Sequence, residues 1–239
     1  MKRLIITALL LSAVIGMAFA QDEIGVSAPW MTFDTAQQML REVSVERFER
    51  EGFWVSSMSS DQGFATSRLF RGGPLGREPI AGEEDMDIPD YYVLGTRVDF
   101  LRRGHNTFYV RPIRPIPVEG VTKSVSMWVA GRNFNHDLYL LIQDFLGRNF
   151  ALHMGRLNFQ GWRRLTVAIP PQAPDGVNGV VQRSHHFPSQ MGIRIMGFRI
   201  RCDPMQSFGS YFIYFDDLRA ITDLFAEYDR DADDMVDGW

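Results

Sequence analysis

Alternation of apolar and polar residues runs through most of this chain. Val121, Val125, Met127 and Val129 alternate with Thr122, Ser124, Ser126 and Trp128. Leu165, Val167 and Ile169 alternate with Arg164, Thr166 and Ala168. Successive side chains on a strand point to opposite faces, so each stretch predicts a strand with one apolar face. Ile193 and Ile195 lead to Phe198 and Ile200, with Arg194, Arg199 and Arg201 between them. The phase slips by one residue at Met196-Gly197, which predicts a β-bulge. Residues 211–221 predict a long aromatic strand, and 93–100, 107–111, 138–143 and 150–154 predict four more. Roughly eight to ten short strands between Gly, Pro and Asn turns predict a mainly β sandwich or barrel.

Helical patterning is scarce. Asp34 reads as an N-cap with Gln37 three residues on, and Ala36, Met39, Leu40 and Val43 share a helical face. That predicts one short helix over 34–43. A second helical turn is predicted from Thr222, carrying Leu224, Phe225 and Tyr228. Two long loops, 71–90 and 170–192, are rich in Gly and Pro and exceed hairpin length, which predicts surface contact or mobility. The first holds the acidic run Glu83-Glu84-Asp85. The Arg-Pro-Ile repeat over 111–117 suits an extended edge, because proline cannot donate to a ladder.

The chain opens with Met1-Lys2-Arg3, an apolar run over 4–17, and Ala18-Phe19-Ala20 before polar Gln21. This is the pattern of a secretory signal peptide cleaved between Ala20 and Gln21. The run is too short for a bilayer span of about 20 apolar residues. The 239 residues are 45% hydrophobic and 23% charged, which fits a globular protein. A net charge of -4 argues against a general nucleic-acid binder, which needs a basic stripe. The single cysteine, Cys202, excludes an internal disulfide and reads as a small buried hydrophobe in a strand.

Catalytic patterns are missing from the sequence. His105, His136, His153, His185 and His186 fall in no zinc-binding frame, and there is no nucleophile elbow or phosphate-binding loop. The tail 229–237 imitates the start of a calcium loop. It has Asp234 where glycine is required, and the chain ends before the bidentate Glu, so it reads as a solvated acidic tail. Asp216 and Asp217 adjoin in a strand and cannot flank one glycosidic bond from the same side. Trp128, Trp162 and Tyr139 could stack on sugar rings or pack in the core.

Val45-Glu46-Arg47-Phe48-Glu49 followed by Gly52-Phe53-Trp54 resembles the opening strand of carbohydrate-binding, galactose-binding-like jelly rolls, and residues 211–218 resemble their closing strand. The resemblance implies that these segments lie side by side. It also implies a structural calcium held by Glu49 and Asp216, with an unliganded carboxylate pair as the alternative.

A broader likeness covers residues 45–220. Residues 93–100, 125–133 and 138–147, Gly161-Trp162-Arg163-Arg164-Leu165 with Ile169-Pro170, and Tyr214-Phe215-Asp216-Asp217-Leu218 resemble, in order, the spirochaete flagellar filament outer-layer (sheath) proteins, the FlaA family. That resemblance implies a non-enzymatic, exported subunit that coats the flagellin core of a periplasmic flagellum beside other sheath proteins. It carries no catalytic residues. The basic pairs Arg102-Arg103 and Arg163-Arg164 are the expected subunit contacts. A periplasmic carbohydrate-binding module on the same fold is the alternative, since fold alone does not fix function. The expected organisation is a signal peptide over 1–20, an extension with a short helix over 21–44, a jelly-roll-like β-sandwich over 45–221, and a short helix with an acidic tail over 222–239.

Overall fold

The computed structural model describes residues 39–173, 178–183 and 192–224. Every regular element among them is a strand, and the strands form two antiparallel sheets packed face to face. Sheet A holds β1 (Leu40–Glu46), β3 (Gly63–Arg71), β4 (Tyr92–Phe100), β7 (Val121–Ala130), β10 (Trp162–Ala168) and β12 (Ser210–Asp223). Its order is β10-β7-β12-β4-β3, with β1 also on β12. Sheet B holds β2 (Trp54–Met58), β5 (Thr107–Pro112), β6 (Ile116–Val118), β8 (Asp137–Gln143), β9 (Asn149–Arg156) and β11 (Ile193–Arg201). Its order is β2-β5-β11-β8-β9, with β6 also on β11. The fold is the expected jelly-roll-like β-sandwich.

The two inner faces meet in one apolar core. Trp54 stacks on Phe198 at 5.4 Å, and Phe198 stacks on Phe215 at 5.2 Å, so one aromatic column joins sheet B to sheet A. Burying each such ring contributes about 1.5–3 kcal/mol. Tyr211 caps one end of the core, donating its hydroxyl to the Gly131 carbonyl at 3.1 Å. The bulge predicted at Met196-Gly197 is present as a register shift between Ile195 and Gly197 on β8. Gly197 has φ +118°, and a Cβ there would sit 2.4 Å from the Val110 carbonyl oxygen. Only glycine fits this position.

The first and last strands are neighbours, as expected, but the pairing uses mainly residues before 45 on the first strand and after 217 on the last, and of the two expected segments only Glu46 and Leu218 pair. Leu40 to Glu46 pairs with Asp223 back to Leu218, while the Ser210–Phe215 half of β12 lies against β4. Two helix expectations fail where they can be seen. Leu40 to Val43 belong to β1, because pairing along β12 overrides the short helical spacing of Leu40 and Val43. Thr222 and Asp223 end β12, and Leu224 is buried against the core's edge, its N–H on the Met39 carbonyl. Residues 34–38 and 225–239, the signal segment 1–20, and His185-His186 lie outside the described residues. No described helix is long and apolar enough to cross a membrane. The Arg-Pro-Ile segment bends between β5 and β6, and these two strands lie end to end along β11.

Candidate functional site

Residues 72–91 lie over the outer face of sheet A and are fastened to it by charge. In β12 the register with β7 breaks between Asp216 and Arg219, and Asp217 takes φ +52°. This bulge presents both carboxylates to the loop. Arg77 Nη1 reaches Asp216 Oδ2 at 2.5 Å and Asp90 Oδ1 at 2.7 Å, and Nη2 donates to the Asp90 carbonyl at 2.9 Å. Arg219 Nε donates to Asp217 Oδ1 at 2.7 Å, and its Nη2 donates to the Glu78 carbonyl. Arg47 pairs with Glu83, Ile80 is buried, and Gly76 leaves room for the edge of Trp128.

Three carboxylates therefore share two guanidinium groups, with Asp216 and Asp217 buried and Asp90 and Arg77 partly exposed. Asp216 is fully buried, and burial pushes its carboxyl up to about 7; Arg77 opposes this, while Asp90 and Asp217 reinforce it. Burial likewise raises Asp90. Oδ1 of Asp216 and Oδ2 of Asp217 are buried without a hydrogen-bond partner. Glu49, the other half of the expected calcium pair, spends Oε1 on the Tyr91 and Tyr92 amides, both at 2.7 Å. These residues do not fit calcium as arranged. The Arg77 guanidinium already supplies the positive charge at Asp216, and no group of three metal-ligating side chains occurs among the described residues. The cluster is built as a latch for the loop.

The outer face of sheet B has a different character. Its six strands contain five arginines and one acidic residue. The pairing registers place Tyr109, Arg199, Tyr139 and His153 in one row across four strands, with Thr107, Arg201, Asp137 and Arg156 in the next. Asp137 pairs with Arg201 at 2.9 Å and Arg156 at 3.5 Å, and lies 3.3 Å from His153. Arg111 lies over the Tyr109 ring at 4.2 Å, and Arg199 lies over Tyr139 at 4.5 Å. Arg111, Arg194 and Arg199 have no carboxylate partner among the described residues, and the buried Nε of Arg199 has no acceptor.

The outer face of sheet A also pairs arginine with aromatics: Arg68 with Phe70, Arg97 with Phe212, and Arg132 with Tyr214. Phe64 and Phe212 are exposed there. Trp128 and Trp162 lie on this side and Tyr139 on the other, so the three aromatics considered for sugar stacking do not share a face. An open cleft of about 570 Å³ runs between β1, β7 and β10, lined by Glu42, Ser126, Arg164 and Thr166.

The expected contact arginines are exposed and fall into two separate places. Arg102 and Arg103 sit in the turn after β4, where Arg102 pairs with Asp61 at 2.5 Å and Arg103 covers the Phe208 ring. Arg163 and Arg164 lie on the edge strand β10. Arg163 covers Phe159, and Arg164 pairs with Glu42 and donates to Ser126 Oγ. His105 is exposed in a turn, while His136 is buried, with Nδ1 accepting the Asp203 amide at 3.1 Å. Cys202 is buried just past β11 rather than within it.

Residues 20–230 match the model of one protein family, described as flagellar filament outer layer protein FlaA. A flagellar filament outer layer-like protein of Brachyspira hyodysenteriae is 35% identical over 195 residues, covering 82% of this chain and 85% of that protein. The flagellar filament outer layer protein of Spirochaeta aurantia is 34% identical over 115 residues, 48% of this chain and 34% of that one. Among solved structures, the family 11 carbohydrate-binding module of a Clostridium thermocellum cellulase superposes with TM-score 0.42 and 8% identity, over 76% of this chain and 94% of that module.

Proposed function

This chain belongs to the flagellar filament outer layer protein family, and from that premise we propose that it is a non-enzymatic sheath subunit of the periplasmic flagellum. In this reading it is exported by the segment 1–20 and coats a flagellin core beside other sheath proteins. The observation that carries the reading is family membership over residues 20–230. Two features of the sandwich support it. A coat subunit needs a stiff body, and here both sheets close on one aromatic core. It also needs contact surface on more than one side, and both outer faces carry arginines seated on aromatic rings.

Those guanidinium groups also bear on the glycan-binding alternative. Sugar stacking needs an open ring face, and the rings of Tyr109 and Tyr139 are covered by Arg111 and by Arg199. Through repeated weak contacts a coat of such bodies stiffens and shapes the filament, and so affects motility. Charge reversal at Arg102-Arg103 in the turn after β4, or at Arg163-Arg164 on the edge strand β10, is expected to weaken coating while the isolated domain stays folded. The test is purification of periplasmic filaments followed by mass spectrometry. Recovery of this protein with flagellin, beginning at Gln21, is expected. Filaments free of it, or a chain retaining residues 1–20, contradict the reading.

A further inference from the structure

Sheet B concentrates positive charge on a chain whose net charge is -4. The acidic excess therefore lies elsewhere, and one concentration of it is at the C-terminal end. Residues 225–239 carry Glu227, Asp229, Asp231, Asp233, Asp234 and Asp237 against the single Arg230. We infer that the acidic segment 227–237 of one copy docks on the arginine face of sheet B in a second copy, joining subunits head to tail. This rests on the sheath reading, which requires copies of the chain to meet.

Three observations carry the inference. First, Arg111, Arg194 and Arg199 have no carboxylate partner among the described residues, and Asp137 is the one acidic residue among the strands of this face. An external anion supplies carboxylate partners to the guanidinium groups that have none. Secondly, the spacing matches. Arg199 and Arg201 stand two residues apart on β11, on the same side. Asp229, Asp231 and Asp233 repeat at the same two-residue interval in the sequence. Thirdly, the chain is pinned up to the tail. Thr222 donates to the Glu119 carbonyl, and the Leu224 amide donates to Met39. The tail thus starts from a fixed point on one body. Its use on a second body makes a heterologous contact, the kind that propagates into an open array rather than closing as a dimer.

The test is sedimentation velocity on the purified full chain at low and high salt. Concentration-dependent association is expected at low salt and its loss at high salt, because exposed charge pairs are screened. Two variants separate the halves: a tail variant (Asp231→Asn, Asp233→Asn, Asp234→Asn) and a face variant (Arg111→Gln, Arg199→Gln). Each is expected to self-associate at least tenfold more weakly, with unchanged circular dichroism. Mixed together they form a one-to-one dimer, since one keeps the face and the other keeps the tail. Association of either variant at the parent strength overturns the inference. So does a mixture that stays monomeric, which is what a tail folded onto its own sheet gives. A parent chain that never associates, yet is recovered on native filaments, overturns this contact and leaves the sheath reading standing.

Discussion

Arg77 is the keystone of the loop latch, and Arg77→Met should show it. The variant keeps most of the side chain's length and removes the charge that lies 2.5 Å from Asp216 and 2.7 Å from Asp90. Removing one partner of a buried ion pair costs about 3–5 kcal/mol, because the other charge is left uncompensated. For a domain of this size that lowers Tm by about 6–20 °C. The loss should depend on pH. Burial holds Asp216 at about 7, above its unfolded value of 3.8. A carboxyl raised in this way stabilises the fold fully below pH 4, and that contribution disappears as pH rises through 7. Without Arg77 the carboxyl rises further, so the penalty is greatest at pH 8 and shrinks at pH 5.5, where Asp216 carries its proton. Urea unfolding followed by the fluorescence of buried Trp54 measures this. In an Asp216→Asn background the same change should cost about 1–2 kcal/mol, since the partly exposed Asp90 pair and one carbonyl hydrogen bond are what remain to be lost. An equal loss at both pH values and in both backgrounds would refute the argument that the orphaned carboxylate is the cause.

Calcium at millimolar concentration should leave the wild-type Tm unchanged, since Arg77 supplies the cation at Asp216; a rise of several degrees would restore the calcium site with Glu49, because native-state ligands stabilise. Burial holds the His136 imidazole down at about 4, against 6.5 unfolded, so its contribution to stability is present above pH 6.5 and lost as pH falls through 4. His136→Phe should therefore remove about 3 kcal/mol of acid-induced destabilisation between those limits, and an acid limb identical to wild type in urea titrations would count against it. Burial pushes the Cys202 thiol up to about 12, so it should resist thiol reagents at pH 8 in the native state and react fully in guanidinium. Native labelling at the denatured rate would show that the site opens.

Much of the sandwich was legible because its inner faces are apolar and its strands alternate. β7, β11 with its bulge, and β12 stand out on that basis alone. β3 did not, because its pattern is inverted. Ala65 and Ser67 face inward, Ser67 and Ser56 hydrogen-bond near Thr96, while Phe64 faces out exposed and Phe70 faces out beneath Arg68. Leu40 and Val43 are spaced as on a helical face, and only the pairing with β12 makes this stretch a strand. The carboxylate latch was half visible. Asp216-Asp217 is conspicuous in an aromatic strand, but Arg77 lies 139 positions away, and nothing local marks it as the partner. The arginines of β11 were visible as its polar face. Their grouping with Tyr109, Tyr139 and Asp137 required the sheet order.

The account stands or falls on whether this protein forms part of the filament's outer layer. Deleting its gene and imaging purified periplasmic filaments by electron microscopy measures that directly. Thinner filaments with altered curvature, and defective swimming restored by the intact gene, are the expected result. Filaments of unchanged diameter and curvature, in cells that make no other protein of this family, would contradict it.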